Sequence, residues 1–197
     1  MKTGFALKVS LLSALLAFSP AVFAAEPGSV GGQSLKLGTT ARAAGQGEAF
    51  CAVADDAGAV YWNPAGLSQL DSLDLELTRM NGLFDSNAFN FAFAVPLLYD
   101  SSGSMTLRRN LSAKQDDYGT LGLGVFYLYT DSIYRDENGA ETGRFTSYNS
   151  YAVLSYGRNL LGNFSAGVSL KFVHNVLASY KAGNTALDAG GFHYFGE

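Results

Sequence analysis

The stretch that decides the fold is TLGLGVFYLY, residues 120–129. Leucine and valine alternate with glycine through its first half, so one side of an extended chain would be bulky and the other almost bare. Successive side chains of a strand point to opposite faces, and strict alternation therefore indicates a β-strand. A helix would need apolar residues three and four positions apart. The stretch predicts a strand with small side chains on one face and large apolar side chains on the other.

The same period of two continues from Asp71 to the end of the chain. The small side chains in these segments are often glycine, alanine, serine or asparagine, and the large ones are aliphatic or aromatic. Tyrosines stand at several segment ends. We therefore predict an antiparallel, all-β fold of about six strands over residues 71–197. The five further predicted strands cover 73–78, 88–95, 148–158, 165–172 and 186–195.

Composition narrows the class of protein. The chain has 197 residues, including 23 Gly, 14 Phe, 11 Tyr and one Trp, and a formal net charge of −4. Its charged fraction is 15%, against roughly 25% for a soluble domain. A disordered chain would carry more charge, and a protein that binds nucleic acid would normally be basic. The composition fits a sheet that needs little aqueous surface, including a membrane barrel.

Residues 1–24 have the pattern of a secretory signal peptide. Lys2 and Lys8 precede an apolar run over 9–18, and small residues stand before a cleavage site near Ala24. An uncleaved anchor helix is the alternative, although the run is short for a span of about 20 residues. The sequence therefore predicts export from the cytoplasm.

An exported chain would carry Cys51 into an oxidising compartment without a disulfide partner. Its alanine-rich flanks favour a small buried residue, and a reactive or intermolecular thiol is the alternative.

Residues 25–70 differ from the strands that follow. A glycine-rich lead, 25–33, precedes a segment with helical character. Thr39 or Thr40 is predicted to cap a helix over 41–53, and Asp55 or Asp56 to cap a shorter turn reaching Tyr61. The sequence Asn63-Pro64-Ala65-Gly66 predicts a turn, since Asn initiates turns, Pro presets φ and Gly closes them.

Two architectures fit exported strands of this kind. An outer-membrane barrel would place small side chains toward its lumen and apolar ones toward lipid, with Tyr at the interfaces. A secreted soluble β-sandwich or adhesin-like protein would also alternate. Loop lengths favour the barrel, with a long polar loop at 131–147 and a short turn at 160–163. Residues 98–117 form either a solvated insertion or a contact surface for a partner.

The first part of the chain contains the motifs Leu35–Gly38, Ala41–Gly45, Ala49–Phe50 and the Ala-Asp-Asp…Asn-Pro-Ala-Gly-Leu stretch within 54–67. Together they resemble the opening of PorV/PorQ-type outer-membrane proteins. The UPF0164 group is similar, and both resemble the larger FadL-like β-barrel superfamily. Gln46 and Glu48 stand where this family usually has Met and Gly. The most specific part of the resemblance is the Ala-Asp-Asp…Asn-Pro-Ala-Gly-Leu stretch within 54–67. Gly167–Phe172 and Ala186–Gly190 also resemble later strands of the same family.

The resemblance implies a barrel of about fourteen strands with an N-terminal segment, here 25–70, folded into its lumen as a hatch. In FadL-like proteins the hatch lies on a route for hydrophobic molecules, whereas PorV-like members support type IX-like protein secretion at the cell surface. The implied partners are outer-membrane lipid and either hydrophobic or other small solutes or secretion-system proteins. The structural hatch motif comprises Arg42, Gly45, Asp55, Asp56, Trp62, Asn63, Pro64 and Gly66.

About six strands are fewer than the roughly eight of the smallest single-chain barrel, so we expect a partial barrel from a truncated chain. Lys171 and Asp188 are predicted to face the lumen from adjacent strands and to pair. The two histidines, His174 and His193, lack the neighbours that a metal site or a catalytic triad needs. We therefore expect a non-enzymatic protein without catalytic, cofactor or metal residues.

Overall fold

The computed structural model of the protein describes residues 35, 37–82, 85–100, 105–106 and 115–194. The predicted signal peptide, 1–24, the glycine-rich lead, 25–33, and the last three residues lie outside this part of the chain, as does most of the 98–117 segment.

The alternating segments form one antiparallel sheet, as the sequence predicted. The long strands follow one another as a meander in the order β1-β2-β4-β5-β6-β7, and the two-residue strand β3 pairs with the end of β2. The strands are β1 (Asp74–Asn81), β2 (Ser86–Asp100), β3 (Met105–Thr106), β4 (Gln115–Arg135), β5 (Glu141–Leu161), β6 (Phe164–Leu177) and β7 (Tyr180–His193).

The prediction of a long loop over 131–147 is wrong, because β4 and β5 continue through most of this region as a hairpin. The Tyr134 and Phe145 rings lie 4.4 Å apart between centroids and extend the apolar contact along the ladder. The turn itself lies between the two strands, around Glu137-Asn138-Gly139. Asp136 Oδ1 accepts hydrogen bonds from the backbone N–H of Asn138 and Ala140, and Gly139 has a φ of +82°.

Within the part of the chain that the structure describes, four short helices precede the sheet. They are α1 (Ala41–Gly45), the 3-10 helix η1 (Ala49–Ala52), α2 (Ala59–Trp62) and the 3-10 helix η2 (Pro64–Gln69). As predicted, Thr40 caps the first helix, its Oγ1 accepting from Ala43 N at 3.1 Å.

The prediction of one helix over 41–53 is wrong, because α1 ends after five residues. Gly47 has a φ of +62° and donates to Ala44 O, and Glu48 N donates to Ala43 O at 2.9 Å. These bonds form a Schellman motif, which satisfies the last carbonyl groups of a helix and stops it.

The two faces of the sheet differ in what covers them. The N-terminal segment, here residues 37–70, packs against the face that carries small side chains, and we call this the inner face. Phe50, Val60 and Leu67 of the segment are fully buried there, together with Ala92 and Phe126 of the sheet. Leucines, valines and aromatic residues on the opposite, outer face are exposed or half-buried. No helix in the described part of the chain is long and apolar enough to cross a membrane.

Candidate functional site between the N-terminal segment and the sheet

A row of three glycines receives the N-terminal segment. Gly157 of β5, Gly167 of β6 and Gly190 of β7 are direct cross-strand partners, and we call them the glycine trough. A Cβ atom at Gly167 would lie 2.5 Å from the backbone N of Ala65, and one at Gly157 or Gly190 would overlap Pro64 or Asn63. Because only glycine leaves room for backbone to approach backbone so closely, the trough fixes where the segment sits.

The Asn63–Pro64 turn fills the trough, and its own side chain organises it. Asn63 Oδ1 accepts from Ala65 N at 3.2 Å and so caps η2, which has Pro64 at its first position. Asn63 Nδ2 donates to Cys51 O at 3.0 Å and to Gly191 O of β7 at 3.4 Å. Gly66 packs against Ala54, with no room for a side chain. The predicted Asn-Pro-Ala-Gly turn is therefore confirmed, and it is a docking element.

The carbonyl groups at the end of α2 take hydrogen bonds from side chains outside the helix. Ser155 Oγ donates to Val60 O at 3.2 Å and Lys171 Nζ donates to Tyr61 O at 3.3 Å, both from the inner face. Cys51 Sγ donates to Trp62 O at 3.4 Å. The last carbonyls of a helix have no partner within it, so these donors both satisfy α2 and attach it to the sheet.

Lys171 also carries the ion pair predicted from the sequence. Its Nζ lies 2.6 Å from Asp188 Oδ2 on the neighbouring strand β7. The Lys171 side chain is 10% exposed, and a charge this buried is tolerated when it is paired and hydrogen-bonded. Lys171 and Asp188 thus lie on the inner face, where Lys171 supports the N-terminal segment.

Tyr61 anchors the other side of α2. Its hydroxyl donates to Phe91 O of β2 at 2.6 Å, and its ring meets that of Tyr151 edge-on at 5.9 Å between centroids. Burial raises the pKa of Tyr61, so the phenol stays protonated and remains a donor.

Arg42 links two parts of the N-terminal segment. Its Nη1 lies 2.5 Å from Asp55 Oδ1 and 2.9 Å from Asp56 Oδ2, and these hydrogen bonds raise the pKa of the guanidinium further. Asp56 Oδ1 accepts from Gly58 N at 2.8 Å, just before α2. Ala59 N also donates to Asp56 O at 3.0 Å, so Asp56 caps the turn that leads into α2, as predicted, and Gly58 is the residue that directly precedes the helix.

Two further predicted positions are placed by the structure. Trp62 Nε1 donates to Thr39 Oγ1 at 3.2 Å, and Gly45 ends α1 in open space. Cys51 is exposed, so the prediction of a buried residue is wrong. The neighbouring alanines Ala49 and Ala52 are exposed as well, because the short helix η1 buries only Phe50.

The outer face carries a continuous apolar belt. A register of directly paired residues runs across all six long strands at the middle of the sheet, and every member is apolar. Tyr118 and Tyr156 lie at one margin of the belt and Tyr127, Tyr129 and Tyr148 at the other. The central row consists of Leu75, Phe93, Leu123, Leu154, Leu170 and Leu187.

Glu48 is held in the left-handed region, with a φ of +66°. We expect Glu48→Gly to raise the free energy of unfolding by about 1 kcal/mol, because glycine adopts this backbone without the Cβ clash. Urea unfolding in detergent, followed by the fluorescence of Trp62, measures the change. Gly47→Ala is the matched control, since Gly47 has the same φ sign and open space around it, and it should lower stability. Equal stability of wild type and Glu48→Gly would contradict the prediction.

Comparison with known proteins adds no relative: no family model, curated protein or solved structure matches this chain. Within the described residues, no group of three His, Cys, Asp or Glu side chains is arranged to hold a metal ion.

Sequence reasoning found part of this site. The alternation placed Gly167 and Gly190 on the small-residue face, and the motif Asn63-Pro64 predicted the turn. The sequence did not predict the role of Gly157 or the contact between the glycine trough and the turn. The pattern of a single strand does not reveal which residues become cross-strand partners.

Proposed function

We propose that this protein is a non-enzymatic outer-membrane β-barrel protein, in which the N-terminal segment is a hatch on a route for hydrophobic or other small solutes. The observation that carries the proposal is the apolar belt on the outer face. The sheet uses its small-residue face to hold the segment and leaves the large apolar face uncovered by any described residue. In water such a face would cost free energy, whereas in lipid it is the favourable surface.

The dimensions of the belt support this proposal. On β4, Tyr127 lies nine positions after Tyr118, which is about 30 Å of strand. A strand tilt of 35–45° would reduce this to about 20–25 Å along the membrane normal, close to the roughly 25 Å apolar band of outer-membrane barrels. Tyrosines at both margins fit the two interfaces with water.

The inner face supports the hatch assignment. The segment is attached by discrete polar contacts, from Ser155, Lys171 and the Tyr61 hydroxyl, and by the glycine trough. Such contacts position a plug at one place and can be broken one at a time. In lipid the outer edges of β1 and β7 must also be paired, since an unpaired strand edge is not tolerated there. The proposal therefore requires partner strands at both edges.

The test is retention in the membrane. Expressed with its leader in a Gram-negative host, the protein should stay with the outer-membrane fraction after an alkaline carbonate wash and should float with lipid in a density gradient. A known barrel and a soluble periplasmic protein in the same preparation serve as controls. Release by the wash would favour the secreted β-sandwich, and pelleting without flotation would indicate aggregation; either result would overturn the proposal.

A further inference from the structure

An open cavity of about 590 Å³ lies between the N-terminal segment and the ends of β1, β2 and β4. Leu37 and Ala44 of the segment form one wall, and Met80, Ala88 and Leu128 of the inner face form the other. This volume is in the range of small-molecule sites, which are mostly apolar with a few placed polar groups. The cavity is therefore shaped for a ligand with an apolar body.

Glu48 is the one ionisable side chain among the described residues that line this cavity. Its Oε1 lies 3.4 Å from the position that a Cβ atom of Gly38 would occupy, so the carboxylate reaches the cavity wall. Among the described residues it has no ion-pair or hydrogen-bond partner. Arg42, the nearest cation in the segment's sequence, is engaged by Asp55 and Asp56.

The backbone at Glu48 lies in the left-handed region, with a φ of +66°. A non-glycine residue in the left-handed region costs about 1–2 kcal/mol, and such strain concentrates at binding sites. The Schellman hydrogen bond from Glu48 N to Ala43 O fixes the residue in this conformation. A left-handed backbone, an exposed carboxylate without a partner in the described part of the chain and apolar walls thus occur at one place.

We propose that this cavity binds an amphiphile with a protonated amine, whose ammonium group pairs with Glu48 and whose apolar chain lies along Met80 and Leu128. An anionic head group would meet a like charge there, with no cation among the described lining residues to compensate it. The inference names a solute class for the proposed route and in that sense rests on the proposed function.

The experiment compares n-octylamine, 1-octanol and octanoate, which share a chain and differ in head-group charge. Binding to the purified full-length protein in detergent is measured by isothermal titration calorimetry at neutral pH. Glu48→Gln removes the charge and keeps the shape of the side chain. Glu137→Gln, which removes an exposed carboxylate from the β4–β5 turn, controls for general attraction of amines to an acidic protein.

We expect wild type and Glu137→Gln to bind octylamine about tenfold more tightly than octanol, and octanoate more weakly still, because a charge-assisted contact is gained or lost. Glu48→Gln should bind octylamine no better than octanol, and Glu48→Gly should also lose the preference while gaining stability. Equal binding of amine and alcohol to wild type would overturn the inference, as would an unchanged preference in Glu48→Gln. Because binding is measured in detergent, this failure would leave the membrane-retention test of the proposed function unaffected.

Discussion

Replacing Leu154 with arginine is expected to lower the stability of the protein in lipid by about 2–4 kcal/mol if the apolar belt faces the bilayer as proposed, because this is the cost of an arginine on a lipid face near the midplane. Leu154 is 52% exposed and lies in the central row of the apolar belt, between Leu123 and Leu170. A shift of this size lowers the ratio of folded to unfolded protein by roughly thirtyfold or more. Urea unfolding in lipid vesicles and the retained fraction in washed membranes measure it.

The size of this effect separates the two architectures. In a soluble sandwich, arginine at a half-exposed leucine would be close to neutral, because surface substitutions usually change stability by less than about 0.5 kcal/mol. Leu160→Arg is the matched control, since Leu160 is exposed on the same strand beyond the tyrosine margin, where the cost in lipid falls to about 0–1 kcal/mol. Equal behaviour of the two variants would contradict the membrane proposal.

Replacing Gly167 with valine is expected to displace the Asn63–Pro64 turn from the glycine trough. The expected loss in the free energy of unfolding is about 3 kcal/mol or more. A Cβ atom there would meet the backbone of Pro64 and Ala65, and backbone cannot move aside as a flexible side chain does. Valine favours strand conformation, so the sheet itself should persist. Trp62, the single tryptophan of the chain, reports on the segment directly. Its emission should shift to the red, and acrylamide should quench it more readily.

Gly183→Val provides the control for this change. Gly183 lies in β7, and a Cβ atom there would be 3.7 Å from its nearest neighbour, Val173 O, which is an ordinary contact. The control should leave Trp62 emission unchanged, and so a shift in Gly167→Val alone would locate the effect in the trough. In vesicles, displacement of the proposed hatch in Gly167→Val should also raise the conductance for small solutes. Unchanged Trp62 emission in Gly167→Val would show that the trough does not hold the segment.

The sequence predicted the elements whose signals are local. Alternation in 120–129 and its counterparts predicted the strands, Thr40 predicted its cap, and Asn63-Pro64 predicted a turn. The prediction of a long helix over 41–53 was wrong because the left-handed backbone at Gly47 ends α1, although the composition of the segment favours a helix. The prediction of a loop over 131–147 was wrong because pairing between β4 and β5 stabilises polar strand ends, which their own sequences do not predict.

By itself, the sequence determined that the side chains of each strand divide between two faces and that glycine, alanine and serine recur on one of them, because side-chain alternation is a property of the extended chain. Only the tertiary structure decided what each face does. Cross-strand register aligned Gly157, Gly167 and Gly190 into a trough and six apolar residues into a belt, and packing of the N-terminal segment covered one face. Register is set by contacts between residues distant in sequence, so it cannot be predicted from the sequence of a single strand.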